Sequence, residues 1–449
     1  MILTVKRALW VSIIFMIGLS ACGTAVTPVP TNLPIPTALS IVPTVIPQPT
    51  ELPKNSLIPV SVMHYYRASD EKQNIANLLV DFNQTNPQYQ AVDNSPNHGD
   101  YRTQTLAILA GSTPPDVFSY WAGTPLQTLV NSNRLMDLTS FWNSNQLDSL
   151  ILPSIKAAVT YNNKIYAIPQ DVNVVGFFYN PKLFAKAGIQ STPKTWSEFL
   201  TDCSLLKAKN AVPIALGSKS RTPDEYWFDY LLAYTAGADF RQKLLTGQVS
   251  FIDPQVITVM QIWQGLLTQG YFIKSANLYD LTDAADQVAR GQAGMTLLSS
   301  EVTSYWDSKG LKAGIDYDFF PFPRMNNTIP PVVFGSVDTW AISAQAKDQQ
   351  GAQKLITQIL DPKYQQTWLQ TEGELAAVRS VPSSAYSAPQ QKMLALLSQL
   401  PFYGTFDLST PTPVAESGLN SFVLFIGNNA LFQNYLNQTD IIAKETFTK

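Results

Sequence analysis

Apolar and polar residues alternate along this chain in short runs, and the pattern is clearest between residues 163 and 209. An apolar run over 165–169 and a β-branched and aromatic run over 174–179 each have the length of a strand. Asn180 and Pro181 predict that a helix begins next, because asparagine is a favoured N-cap and proline fits the first helical position. The pattern therefore predicts two strands followed directly by a helix.

The same stretch continues into a second helix. Gly188 predicts the end of the first helix, since glycine readily takes the left-handed conformation found there. Thr195 and Glu198 have the Thr-x-x-Glu spacing of a capping box, in which each side chain bonds the other's backbone N–H. Apolar residues at helical spacing follow, so the whole stretch predicts a strand–helix–turn–helix unit.

Strand-length and helix-length segments alternate over the rest of the chain as well. Residues 59–66 alternate as a first strand, and a helical pattern follows until Asn86 and Pro87 stop it. This alternation predicts an α/β fold with largely parallel sheets. The further predicted strands are 116–121, 212–216, 293–298 and 337–343, and the further predicted helices include 101–110, 394–400 and 422–435.

The order of these segments carries a resemblance. K-I-Y-A-I-P, an apolar strand ending in Y-N, L-F-A-K-A-G and P-K-T-W-S-E-F follow one another over 164–199. This order resembles extracellular solute-binding proteins, in particular the maltose-binding-protein-like, sugar-binding lipoproteins that serve ABC transporters. The resemblance covers most of the chain from about residue 59.

The resemblance implies a two-lobed α/β fold of the type II periplasmic-binding-protein kind. Each lobe would be a mostly parallel sheet flanked by helices, and a hinge would join the two. Lobe one would comprise 59–169 and about 324–380, and lobe two would comprise 170–323 and about 381–449. Hinge closure around a ligand is the mechanism that such a fold implies.

The N-terminal residues predict export. Lys6 and Arg7 precede twelve mostly apolar residues, 8–19, which are too few to span a bilayer and are typical of a signal peptide. The ending Leu-Ser-Ala-Cys resembles a lipobox, which implies that Cys22 becomes an acylated N-terminus on the outer face of the bacterial membrane. An ordinary cleaved signal is the alternative. Residues 23–58 hold eight prolines and two charges, so they predict a disordered Pro/Thr-rich linker.

Composition narrows the class of protein. Hydrophobic residues make up 45% of the chain, aromatic residues 11% and charged residues 14%, and the net charge is −3. These values are typical of a globular protein and exclude a basic nucleic-acid-binding protein. They favour an uncharged, polar ligand. Cys203 lies on a predicted apolar helix face, where it is expected to be a small buried residue without a disulfide partner.

Short catalytic motifs are absent from the sequence. There is no H-E-x-x-H, Walker loop, G-x-S-x-G or paired C-x-x-C, and the only histidines are His64 and His98. We therefore expect a protein that is not an enzyme and that needs no metal or cofactor. Two alternatives stay open: an extracellular carbohydrate hydrolase with a carboxylate pair, and a sensory binding protein for a peptide or another polar solute.

Candidate ligand residues lie at strand ends, at the expected hinge and on one helix. Sugars need aromatic rings for their apolar faces and carboxylates or amides for their hydroxyls. For each candidate, packing or helix capping is the alternative role, and the family's usual tryptophan near Ser300 is absent here. The candidates are Tyr66, Ser69, Asp70, Trp121, Thr124, Asp171, Asn173, Trp227, Tyr230, Ser300, Asp338 and Trp340.

The sequence thus predicts an extracytoplasmic binding protein. It would capture a sugar or oligosaccharide, deliver it to the permease of an ABC transporter and act as a monomer. The lipid on Cys22 would be its only attachment to the membrane, and nucleic acid would not be a partner.

Overall fold

The computed structural model describes residues 57–96 and 101–448. The predicted signal peptide, Cys22, nearly all of the linker and His98 lie outside these residues. In chain order, the strands are β1 (Ile58–Met63), β2 (Tyr89–Asp93), β3 (Val117–Trp121), β4 (Thr160–Tyr161), β5 (Lys164–Ile165), β6 (Ile168–Val172), β7 (Val175–Tyr179), β8 (Val212–Ala215), β9 (Ala293–Ser299), β10 (Asp318–Phe320), β11 (Val333–Gly335), β12 (Val337–Ile342), β13 (Leu375–Ala376) and β14 (Phe402–Gly404).

Helices follow most of the strands. They are α1 (Ser69–Thr85), α2 (Tyr101–Ala110), α3 (Thr124–Asn131), α4 (Thr139–Ser144), α5 (Pro153–Ala158), α6 (Pro181–Ala187), α7 (Trp196–Ala208), α8 (Thr222–Thr235), α9 (Ala238–Leu245), α10 (Pro254–Thr268), α11 (Leu281–Ala289), α12 (Val302–Ser308), α13 (Gln349–Ile359), α14 (Pro362–Glu372), α15 (Ala388–Gln399), α16 (Phe406–Ser409), α17 (Thr412–Gly427) and α18 (Phe432–Phe447).

The local signals for α6 and α7 are confirmed. The Asn180 side chain accepts a hydrogen bond from the Leu183 N–H at 2.9 Å, and Gly188 ends α6 with φ 85°. Thr195 and Glu198 form the capping box, with each side chain accepting from the other residue's N–H. These signals are reliable because they act within a few residues of one another.

Two main sheets organise the described residues. The first sheet has the strand order β13-β6-β12-β3-β1-β2, and the second sheet has the order β10-β7-β9-β8. Two short pairs accompany them, β11 with β14 and β4 with β5. The α/β class is therefore confirmed.

The expectation of mostly parallel sheets is wrong. Parallel pairing joins β1 to β2, β1 to β3 and β8 to β9, whereas β12, β6, β13, β7 and β10 make antiparallel pairs. Parallel neighbours arise from helical crossovers within one sheet. Where the chain passes directly from one sheet to the other, the new strand can run parallel or antiparallel to its neighbours. Both sheets are therefore mixed.

Two chain segments lie side by side where the chain passes between the sheets. One connects β6 to β7 through Asn173, and the other connects β11 to β12 through Ser336. The Asn173 N–H donates to the Ser336 carbonyl at 3.0 Å, and the Ser336 N–H donates to Asn173 Oδ1 at 2.9 Å. We call these two segments, 172–175 and 335–337, the crossing.

The apolar side chains of the described residues form two buried clusters. One lies on the first sheet around Phe118 and Trp340 and reaches Phe178 of β7. The other contains Phe177 and Trp227 and packs on the opposite face of the second sheet. Phe177 and Phe178 belong to different clusters because successive side chains of a strand point to opposite faces.

The C-terminal part differs from the sequence-based expectation. The predicted single helix over 422–435 is wrong, because α17 ends at Gly427 and α18 begins only at Phe432. Asn428 caps the short turn between them, its side chain accepting from the Ala430 N–H at 3.3 Å. Among the described helices, none has both the length and the apolar character that a bilayer span requires.

Candidate functional site

A cavity of about 440 Å³ lies between the two sheets, beside the crossing. The ends of β3 and β9 supply part of its wall, as do α2, α8 and α12. Side chains from both sheets and their helices therefore face the same space. The cavity is lined by Arg102, Trp121, Asn173, Thr222, Pro223, Tyr226, Leu281, Leu298, Ser299, Glu301, Val302, Tyr305, Ser336, Thr405, Asp407 and Leu408.

Three aromatic rings line the cavity. Trp121, at the end of β3, stacks on Tyr65 with ring centres 4.3 Å apart and planes at 16°. Tyr226 of α8 and Tyr305 of α12 contribute from the elements around the second sheet. Aromatic faces of this kind are the surfaces on which the apolar side of a polar ring can stack.

The crossing supplies a polar corner of the cavity. Asn173 Nδ2 donates to Glu301 Oε1 at 3.0 Å and to Ser336 Oγ at 2.6 Å. Glu301 is the first residue before α12, so this bond ties the crossing to the second sheet. A movement of one sheet relative to the other would therefore change these contacts.

An ion pair spans the other side of the cavity. Arg102 Nη2 of α2 lies 3.5 Å from Asp407 Oδ2 of α16, and the guanidinium lies over the Trp121 ring at 5.5 Å. The Asp407 N–H donates to Glu225 Oε2 at 2.9 Å. Because Glu225 belongs to α8, this chain of contacts links α2 with the helices of the second sheet.

Glu225 is fully buried behind this ion pair. Burial raises the pKa of its carboxyl well above the ordinary value, and the nearby Asp407 and Asp229 carboxylates add to the shift. Its Oε1 atom has no hydrogen-bond partner. The folded protein therefore holds a proton on Glu225 at pH values where the unfolded chain has lost it.

The Glu225→Gln variant is expected to lose part of the pH dependence of unfolding. A raised folded-state pKa stabilises the fold below the ordinary value of 4.5, and that stability is lost as the pH rises. Urea titrations should show the wild-type free energy of unfolding falling as the pH rises above the ordinary value of 4.5. In Glu225→Gln the fall should be smaller by about 1 kcal/mol or more.

Glu416→Gln is the control for this comparison. Glu416 is an exposed carboxylate that pairs with Arg221 at 2.6 Å, so its removal should leave the fall in stability unchanged. Equal pH dependence of unfolding in Glu225→Gln and Glu416→Gln would contradict the raised pKa of Glu225.

Three carboxyl groups lie together beyond the polar corner. Oxygens of Asp171, Asp338 and Glu374 are all within 4.8 Å of one another, and the three residues are buried. Burial raises the pKa of Asp171 to about 6. Burial also raises the pKa values of Asp338 and Glu374 well above their ordinary range, and the Asp171 carboxylate adds to both shifts. We call these three residues the carboxylate cluster.

The structure brings some of the predicted site residues together. Trp121 and Asn173 line the cavity. Asp171 and Asp338 belong to the carboxylate cluster, and Tyr66 lies beside them, 3% exposed. Strand ends thus gather residues that are far apart in the sequence.

Other predicted site residues lie elsewhere. Trp227 and Tyr230 are packed in the core, and Tyr230 stacks on Phe322 at 4.7 Å. The remaining ones have structural partners, are exposed or line another space. Trp340 is buried and donates to Gln170 Oε1, Ser300 is buried and accepts from the Val174 N–H, Ser69 and Asp70 are exposed at the start of α1, and Thr124 lines a separate cavity of about 370 Å³.

Sequence reasoning missed several cavity residues. Tyr226, next to Trp227, faces the cavity, but α8 is buried nearly all round, so its apolar periodicity does not tell the two apart. Arg102 and Asp407 meet across 305 residues of sequence, which no local signal reveals. Ser299, at the end of β9, and Glu301, two residues further on, stand at positions that strand-end reasoning points to.

Comparisons with known proteins agree with this geometry. The model of the family described as bacterial extracellular solute-binding protein matches residues 68–366. An uncharacterised ABC transporter extracellular-binding protein of Pyrococcus horikoshii is 26% identical over 347 residues, which cover 76% of each chain. The multiple sugar-binding protein of Streptococcus mutans is 24% identical over 329 residues, covering 72% of this chain and 76% of the relative.

A solved structure has the same fold. A chitin oligosaccharide binding protein superposes with a TM-score of 0.77 at 22% identity, covering 88% of this chain and 100% of that chain. A likeness of this size over nearly the full length establishes the two-sheet architecture as a shared one.

Proposed function

Because the chain belongs to the bacterial extracellular solute-binding protein family, we propose that it binds a sugar or an oligosaccharide and delivers it to an ABC transporter permease. The observation that carries the proposal is the cavity between the two sheets. It combines the rings of Trp121, Tyr226 and Tyr305 with the polar side chains of Asn173 and Glu301. Rings next to amide and carboxylate groups suit a molecule with apolar faces and a rim of hydroxyls.

The size of the cavity also supports this ligand class. A volume of about 440 Å³ falls in the range of about 300–1,000 Å³ that is usual for small-molecule sites. The names of the Streptococcus mutans relative and of the solved chitin oligosaccharide binding protein point the same way. The family's proteins bind rather than transform their ligands, so we propose that the sugar leaves unchanged.

Closure around the ligand is the proposed mechanism. A sugar in the cavity would touch residues carried by both sheets, so its binding energy favours the arrangement in which the sheets approach. The crossing is the region where the backbone would turn. A ligand that prefers the closed arrangement by about 5.5 kcal/mol converts a mostly open population into a mostly closed one, which the permease would recognise.

The location is extracytoplasmic, as for the family, and the manner of attachment is part of the proposal. We propose that acylated Cys22 holds the protein on the outer face of the membrane and that residues 23–58 act as a spacer. The protein would work as a monomer with lobes divided near residues 170, 324 and 380. The sequence features that support these points are the lipobox-like ending and the proline-rich linker.

A panel of mono- and oligosaccharides tests the proposed function. We expect one class of sugar to raise the melting temperature and to bind with a measurable Kd in calorimetry, while chromatography recovers the sugar intact. A panel in which no sugar binds would contradict the proposal. Release of shorter sugars would instead favour a hydrolase.

The Trp121→Ala variant is expected to raise the Kd of that sugar by about 10- to 100-fold, because a stacking ring is lost. Trp196→Ala is the matched control. Trp196 is also half-buried and stacks on Phe199 with ring centres 5.0 Å apart, but it lies outside the cavity. Equal Kd values for the two variants would show that Trp121 does not contact the sugar.

A further inference from the structure

The pairing of β6 with β12 places two carboxylates opposite each other in the first sheet. Asp338 of β12 lies directly opposite Asp171 of β6, and Glu374 comes just before β13, the other neighbour of β6. Like charges at opposite positions of neighbouring strands repel each other. In the part of the chain that the structure describes, none of the ion pairs involves these three residues.

Buried polar atoms without partners converge on the same place. Asp171 Oδ1, Asp338 Oδ1 and the Tyr66 hydroxyl have no hydrogen-bond partner. Tyr66 is 3% exposed. The charges of both aspartates act on the Tyr66 hydroxyl, and the Trp368 indole N–H faces Asp171. Unpaired buried polar groups are costly, so three of them around one cluster point to a ligand there.

We propose that Asp171, Asp338 and Glu374 bind a calcium ion. Their carboxylate oxygens all lie within 4.8 Å of one another, close enough together to face one ion. Calcium takes oxygen ligands at about 2.3–2.6 Å in flexible geometry. Magnesium keeps several waters and requires near-ideal octahedral geometry, so a buried set of three carboxylates suits calcium better.

The surrounding groups fit an ion with bound water. The Tyr66 oxygen can accept a hydrogen bond from a water on the ion, and the Trp368 N–H can donate to Asp171 and fix its orientation. Glu301 connects the cluster to the cavity, because it lines the cavity and interacts with both Asp171 and Glu374. The ion would reach its site from the cavity, past Glu301.

This site goes beyond the proposed sugar binding and is independent of it. The sequence suggested no metal because the three ligands lie at positions 171, 338 and 374 without a motif. Only the order β13-β6-β12 brings them together.

Terbium luminescence tests the site without any sugar. The full chain, treated with a chelator and kept at about pH 8, is titrated with terbium, which replaces calcium and emits when nearby aromatic rings are excited. Tyr66, Trp340 and Trp368 lie around the site, so we expect saturable emission with one ion per chain. Calcium should compete at concentrations at least about tenfold below those of magnesium.

Variants distinguish the loss of ion binding from general effects on folding. Asp171→Asn and Glu374→Gln should each weaken terbium and calcium binding by at least about tenfold. Asp224→Asn is the matched control: Asp224 is also fully buried with one unpaired oxygen, but it lies outside the cluster, and this variant should bind normally. Calcium at a hundredfold excess over its Kd should raise the wild-type melting temperature by roughly 3–6 °C.

Stability without calcium gives a second readout. Asp171→Asn removes repulsion, so in chelator it should melt at or above the wild-type temperature, and in calcium it should melt below it. The proposal is overturned if terbium emission is absent at about pH 8 or is equal in the wild type and Asp171→Asn. It is also overturned if calcium shifts the melting of both proteins alike.

Discussion

Replacing Arg241 by methionine is expected to lower the free energy of unfolding by about 3–5 kcal/mol, the largest stability effect that we anticipate. Arg241 Nε donates to Asp229 Oδ1 at 2.7 Å, and the two side chains are 2% and 0% exposed. The guanidinium also donates to the Gly404 carbonyl at 2.9 Å and lies over Phe334 at 4.5 Å. Without it, the buried Asp229 carboxylate would lose its charged partner, while the acidic side chains of Glu225 and Asp407 lie nearby.

Urea unfolding followed by circular dichroism measures this effect. Arg290→Met is the control, because Arg290 pairs with Asp286 on the surface with its side chain 64% exposed, and its loss should cost less than about 0.5 kcal/mol. Adding Asp229→Asn to Arg241→Met should restore much of the stability, since a neutral pair leaves no unpaired buried charge. A similar small loss for Arg241→Met and Arg290→Met would refute the argument.

Replacing Gly335 by alanine is expected to disrupt the crossing. A Cβ atom at Gly335 would lie 2.0 Å from the Asn173 carbonyl oxygen, a backbone atom that cannot move alone. The two segments would have to separate, which strains their hydrogen bonds and should cost about 2–4 kcal/mol. Because the cavity adjoins the crossing, we also expect the Kd of the bound sugar to rise by about 100-fold or more.

Thermal unfolding and calorimetry with the preferred sugar measure both effects. Gly265→Ala is the control, because Gly265 lies in α10 with no atom within 4 Å of the added Cβ. That change should leave binding intact and raise stability by about 0.5–1 kcal/mol. If Gly335→Ala bound the sugar with the wild-type Kd, the close contact between the two segments of the crossing would not be required for binding.

Features of the fold that depend on neighbouring residues were predictable from sequence. Asn180, Gly188 and the Thr195–Glu198 capping box fix helix ends through contacts a few residues apart, and the structure confirms each of them. The burial of Cys203 is confirmed as well. The family resemblance, carried by a long ordered pattern, is confirmed by the match over 68–366.

Features that depend on distant residues were not predictable. Strands β6 and β12 adjoin the points where the chain passes between the sheets, and they pair antiparallel. The alternation of strands and helices in the sequence does not reveal these passages, so it predicted mostly parallel sheets. Trp227 and Tyr226 are adjacent on a helix that is buried nearly all round, and only the packing decides which one reaches the cavity. The carboxylate cluster forms only when three separated segments of the chain meet, and no spacing in the sequence indicates that they do.

The place of β12 in the first sheet affects how the protein must be made. It lies between β3 and β6, although it is synthesised about 165 residues after β6. While the chain emerges from a ribosome or a secretion channel, the edges of β3 and β6 stay unpaired until residue 342 arrives. The nascent N-terminal half is therefore open to aggregation, and a fragment that stops before Val337 lacks the strand that would close its own sheet.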